Sequence, residues 1–176
     1  METEQSQTLA ALQTAIQMEI DGKTYYLKTS QECSNELGKR LLASLAAEED
    51  IHQQKFKEIY NAIHNKRAWP ETVFQFGGSS KLDTVFAQAT QEMSSSRKAP
   101  ANELRAVQTA MAMENKTYDF YKSRAKNATY DAERDLYETI AGQESRHHQV
   151  LLDYYEYLKD PAGWFVKMEH PSLDGG

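Results

Sequence analysis

Apolar residues recur at alternating steps of three and four along four long stretches of the chain, roughly residues 5–31, 36–65, 101–127 and 131–159. That rhythm keeps one stripe of an α-helix facing a core. In the first stretch Leu9, Leu12, Ile16, Glu19 and Tyr26 share a face, and in the second Leu42, Leu45, Glu49, His52, Phe56, Ile59 and Ile63 do. The third reads Leu104, Val107, Met111, Glu114, Tyr118, Tyr121, and the fourth Leu136, Ile140, Glu144, His147, Leu151, Tyr154, Leu158. The two-residue alternation of half-buried strands is absent, so the pattern predicts an all-α chain.

The connections differ in kind. "ECSNE" and "NATYD" are short polar links, which make helical hairpins of the first two and the last two stretches. Between the hairpins, "NKRAWPETVFQFGGSS" breaks the helix at Pro70 and at Gly77-Gly78, and residues 81–93 have the pattern of a short helix. Two hairpins joined by a long crossover predict a four-helix bundle over residues 1–160. Residues 161–176, after Asp160-Pro161, are expected to form a non-helical tail that Trp164 and Phe165 pin to the bundle.

Composition narrows the function. The chain of 176 residues is long enough for one domain with a substantial core. A formal net charge of −6 argues against nucleic acid as a partner, since phosphate binding needs a basic footprint. No apolar run approaches the roughly 20 residues that span a bilayer, and "METEQSQTLA" lacks the features of a signal peptide. With Cys33 as the single cysteine there is no internal disulfide, and a cytoplasmic location is the expectation.

The seams themselves carry the chemistry. Each holds one glutamate in an otherwise apolar row: Glu19, Glu49, Glu114 and Glu144. Two also hold a histidine three residues later, His52 and His147. Carboxylates on a buried stripe need a proton or a partner. The spacings repeat: Glu19 to Glu114, Glu49 to Glu144 and His52 to His147 are each 95 residues. The apolar frame follows, Ile16 matching Met111, Tyr26 matching Tyr121 and Leu45 matching Ile140. Two similar hairpins related by a pseudo-twofold axis are predicted. The offset also selects between the adjacent histidines, since His148 matches Gln53 and Glu48 matches Gln143; His148 and Glu48 are therefore set outside the ligand set. A glutamate and a histidine at i and i+3 project to one side of a helix. Four carboxylates and two imidazoles suit two divalent metal ions, whose charge cancels that of the carboxylates; bundles holding di-iron or di-manganese centres use this pattern.

Here the sequence resembles the rubrerythrin-like branch of the ferritin-like superfamily over roughly residues 8–159. "LAAEEDIHQQKF" and "IAGQESRHHQVL" resemble its two Glu-x-x-His helices, and "AIQMEIDGKTYY" and "AMAMENKTYDFY" its two single-glutamate helices. The resemblance implies a ferritin-like bundle holding two iron ions, with manganese or zinc as substitutes. It implies Glu19, Glu49, His52, Glu114, Glu144 and His147 as metal ligands and as the catalytic groups. It further implies a reaction with hydrogen peroxide or dioxygen. Two departures stand out. Thr117 occupies the place where the family often has an extra glutamate, and no four-cysteine rubredoxin-like domain is present. Electrons are therefore expected from an external donor protein.

The leading expectation is a non-haem di-iron oxidoreductase that reduces peroxide. A ferroxidase or iron-handling protein using dioxygen, and a metal-stabilised binding module without turnover, are the alternatives. Tyr26 and Tyr121 read equally as partners of the ligands and as core tyrosines with paired hydroxyls. Gly22 makes room near the metals or allows close packing. Cys33 reads as an incidental thiol, His64 and His170 as surface residues, and Met18, Met111 and Met113 as packing. Near-identical hairpins on a long linker suggest a homodimer, with exchange of hairpins between chains as one way to build it.

Overall fold

A computed structural model describes residues 4–66, 69 and 99–164. Four long helices make up almost all of them: α1 (Glu4–Glu32), α2 (Glu36–Lys66), α3 (Ala101–Lys126) and α4 (Asp131–Lys159). Their ends fall within a residue of those the apolar rhythm predicts. The short helix expected at 81–93 lies outside the described residues.

The link between α1 and α2 shows why the chain turns there. The Asn35 side chain accepts a hydrogen bond from the Gly38 N–H at 2.8 Å, which caps the start of α2. Asn35 also donates to Glu103 and to the Tyr154 hydroxyl, at 3.2 and 3.0 Å. Ser34 donates to Glu103 at 2.6 Å, so one polar knot ties the first hairpin to α3 and α4. Gly38 has to be glycine: a Cβ there would overlap the Tyr154 hydroxyl and lie 2.9 Å from Cys33 Sγ. Cys33 is buried and free. Burial, then Glu103, pushes its thiol up to about 12, which suits an inert packing group.

Each hairpin packs tightly on itself, α1 on α2 and α3 on α4, while α1 meets α3 and α2 meets α4 across the bundle. Side-chain contacts set the directions. Tyr26 reaches Glu114 while Tyr121 reaches Glu19, so α1 and α3 run antiparallel. Contacts of Glu48 with His147 and of His52 with Gln143 make α2 and α4 antiparallel. It follows that α2 and α3 run the same way on opposite corners, so the end of α2 and the start of α3 lie at opposite ends of the bundle. This is the ferritin-like arrangement with one crossover.

The apolar core comes in two parts. One is built around Leu41, Leu42, Leu45, Leu151 and Tyr154, the other around Leu12, Phe56, Leu136, Tyr137 and Ile140. Along every helix the seam glutamate lies between residues of the first part and residues of the second. A polar layer is thus closed above and below by apolar side chains, which keeps water out and strengthens electrostatic interactions inside it.

One expectation needs correcting. Residues 161–164 form a helical turn, where a non-helical tail was predicted. Asp160 accepts the Gly163 N–H at 3.1 Å, and Pro161 takes the first helical position, where a missing N–H costs nothing. Asp160-Pro161 therefore ends α4 and starts a new turn. Trp164 is buried edge-on against Tyr157, with ring centroids 5.9 Å apart. Phe165 and the rest of the tail lie outside the described residues.

Candidate metal centre

The six seam residues converge. Glu19, Glu49, His52, Glu114, Glu144 and His147 all lie in the polar layer, none more than 3% exposed. They form two four-residue sets whose donor atoms lie within 4.8 Å of one another: Glu19, Glu49, His52, Glu144, and Glu49, Glu114, Glu144, His147. Glu49 and Glu144 belong to both sets. Each set then adds one glutamate and one histidine of its own, as the pseudo-twofold axis requires. The two imidazole rings face each other nearly parallel, their centroids 5.7 Å apart.

Both rings turn Nδ1 inward. His52 Nδ1 lies 3.2 Å from Glu19 and 3.3 Å from Glu144, and His147 Nδ1 lies 3.1 Å from Glu49 and 3.6 Å from Glu114. The outward Nε2 atoms meet residues of the opposite hairpin: His147 meets Glu48 at 3.0 Å, and His52 meets the Gln143 side-chain oxygen. The 95-residue offset by itself sets Glu48 outside the ligand set, with Gln143 as its match. Glu48 is no member of the inward-facing sets, yet it is part of the site through His147. The signal was present, because the 95-residue offset that pairs the glutamates also pairs Glu48 with Gln143.

Hydroxyls orient the carboxylates. Tyr26 donates to Glu114 Oε1 and Tyr121 to Glu19 Oε1, each from the opposite hairpin. Thr117 donates to Glu144 Oε2 at 2.7 Å. Its match by the offset is Gly22, where an added Cβ would sit 3.5 Å from Glu49, so the second hairpin supplies a hydroxyl where the first supplies none. Both tyrosines are held protonated. Burial, then Glu114, raises Tyr26 well above its ordinary pKa, and burial, then Glu19, does the same for Tyr121.

Crowding sets the protonation of the rest. Burial, then the charges of Glu144 and Glu19, lifts Glu49 well above the carboxyl range. Burial, then Glu114 and Glu19, lifts Glu144 to about 8. Burial also acts to raise Glu19, but Glu49 and His52 more than offset it and hold Glu19 below its ordinary value. For the histidines burial opposes the charge, and the carboxylates outweigh it. Glu19 and Glu144 raise His52, while Glu114, Glu48 and Glu49 raise His147. A metal ion would displace these protons and take over the charge.

The donor set fits metal ions by a further test. Glu49 Oε1, Glu114 Oε2, Glu144 Oε1 and His147 Nδ1 are buried without a well-formed hydrogen bond, and their near contacts are with each other and with His52 Nδ1, at 3.1–3.6 Å. Buried carboxylate and imidazole atoms that meet only one another, from three helices, suit a cation between them. The match to the rubrerythrin family model then covers residues 10–155. The chain belongs to the rubrerythrin family. Its four helices and its carboxylate–histidine layer are those of a rubrerythrin domain suited to a di-iron site. Comparison with curated proteins and with solved structures returned no match.

The remaining sequence candidates fall outside the layer. His148 is half-buried and belongs to neither donor set. His64 is exposed and stacks on Tyr60. His170 lies outside the described residues. Met18, Met111 and Met113 are half-buried, and Met111 packs on the core around Leu45. No described helix is long and apolar enough to cross a membrane.

Proposed function

We propose that this rubrerythrin-family protein is a non-haem di-iron peroxidase that reduces hydrogen peroxide to water. The observation that carries the reading is the pair of donor sets sharing Glu49 and Glu144. Glu19, Glu49, His52 and Glu144 would hold one iron, and Glu49, Glu114, Glu144 and His147 the other. Two ferrous ions, when bound, supply two electrons together, which with two protons takes one peroxide to two waters without releasing a radical. Tyr26 and Tyr121 hold the outer oxygens of Glu114 and Glu19, which leaves the inner oxygens for metal. The apolar cores on either side exclude water. Manganese or zinc would occupy the same donors without the same redox chemistry. The proposal includes an external electron-donor protein, a cytoplasmic location and a homodimer.

Stopped-flow absorbance tests this on protein loaded anaerobically with ferrous iron. Rapid oxidation by peroxide and slow oxidation by dioxygen is the expected result. The reverse order would make the protein a ferroxidase, and inertness to both would leave a metal-stabilised binding module.

A further inference from the structure

The pseudo-twofold axis relates the two metal positions in shape but not in charge. Positions 48 and 143 match by the 95-residue offset, and each side chain receives the outward Nε2 of a histidine from the other hairpin. One is a glutamate and the other a glutamine. A carboxylate that accepts a ligand histidine's N–H fixes the tautomer, makes the inward nitrogen a stronger donor and adds negative charge beside the metal. An amide oxygen fixes the tautomer and adds no charge.

Inside the layer the two sets are alike: His52 Nδ1 lies 3.2 Å from Glu19 Oε2 and His147 Nδ1 lies 3.1 Å from Glu49 Oε1, so each set has one such contact that a metal ion has to replace. The difference between the sets therefore lies behind the rings, at positions 48 and 143.

We infer that the two metal positions are unequal, that the one built on His147 fills first and binds more tightly, and that Glu48 sets this order as a positioning residue behind His147. The inference rests on the two-metal reading above. It assigns separate tasks to the two positions: one ion is retained by the tighter set, and the other, held through the amide-backed His52, exchanges more readily.

Zinc, which is redox-inert, tests this on the full chain. With one equivalent of zinc, nitrogen-15 spectra of the histidine side chains should show the His147 ring shifted and His52 unchanged. The second equivalent should then shift His52. In calorimetric titration, Glu48→Gln should weaken the tighter step by about 10–100-fold, the usual cost of losing such a partner. The double variant Glu48→Gln with Gln143→Glu should reverse the order, so that His52 shifts first. A purely structural role for residue 48 cannot produce that reversal, because glutamine keeps the shape and still accepts the hydrogen bond. Circular dichroism establishes that each variant is folded. The inference is overturned if His52 shifts first or together with His147 in the unmodified protein, or if the double variant keeps the original order. Absence of zinc binding at both histidines would instead overturn the two-metal reading itself.

Discussion

Without metal, the protein should lose stability as the pH rises from about 5 to about 7.5. The perturbation is titration of the polar layer. Glu144 has a folded value of about 8 against an ordinary 4.5. A raised folded pKa means that the folded state binds the proton more tightly than the unfolded chain. Its stabilising effect is full below the unfolded value and is lost as pH rises through the folded one. Glu49, raised by burial and by its carboxylate neighbours, acts in the same sense. So do His52 and His147 above about pH 6.5, the ordinary imidazole value. Glu19, whose folded value is lowered, opposes the trend only in acid, where it takes up a proton. One excess proton changes the unfolding free energy by about 1.4 kcal/mol per pH unit. Over the 2.5 or so units between these conditions, Glu144 alone is worth about 3 kcal/mol. For a domain of this size that is a fall in melting temperature of roughly 6–12 °C. Thermal melts by circular dichroism on chelator-treated protein measure it directly. Metal should reverse the slope, because metal and protons compete for the same atoms and the loaded site gains affinity as pH rises. A metal-free protein equally stable at both pH values, or more stable at the higher one, would refute the account of four crowded carboxylates in a dry layer.

Replacing either shared carboxylate, Glu49→Ala or Glu144→Ala, should disable both metal positions, whereas His148→Ala should leave about two metals per chain by elemental analysis. Tyr121→Phe removes the hydroxyl that Glu19 accepts from and should lower the unfolding free energy by about 1–3 kcal/mol in urea titration. Gly38→Ala drives a methyl group into the Tyr154 hydroxyl and toward Cys33; overpacking of this kind should destabilise by about 1–3 kcal/mol, and an unchanged denaturation midpoint would argue against the tight knot at Asn35. Light scattering should give a homodimer at micromolar concentration. Co-refolding a Glu49→Ala chain with a Glu144→Ala chain should restore some metal binding only if hairpins are exchanged between chains.

The helices and the six inward polar residues were legible in the sequence because both follow from local geometry. A residue's place on a helix face depends on its spacing from its neighbours, so Leu45, Glu49, His52 and Phe56 identify themselves as one stripe without knowledge of what they face. The offset that matches Glu49 with Glu144 added the second hairpin. Spacing within a helix says nothing about axial register between helices, and that is what packing decided. Antiparallel pairing of α2 with α4 brings Glu48 to His147 and Gln143 to His52, and antiparallel pairing of α1 with α3 brings Tyr26 to Glu114 and Tyr121 to Glu19. The same register makes Glu49 and Glu144, rather than Glu19 and Glu114, the carboxylates common to both donor sets. The turn after Asp160-Pro161, by contrast, is local: Asp160 caps it and Trp164 packs on Tyr157, seven residues back. The sequence named the residues that meet; the relative slide of antiparallel helices, fixed by apolar packing on either side of the polar layer, determined which atoms meet.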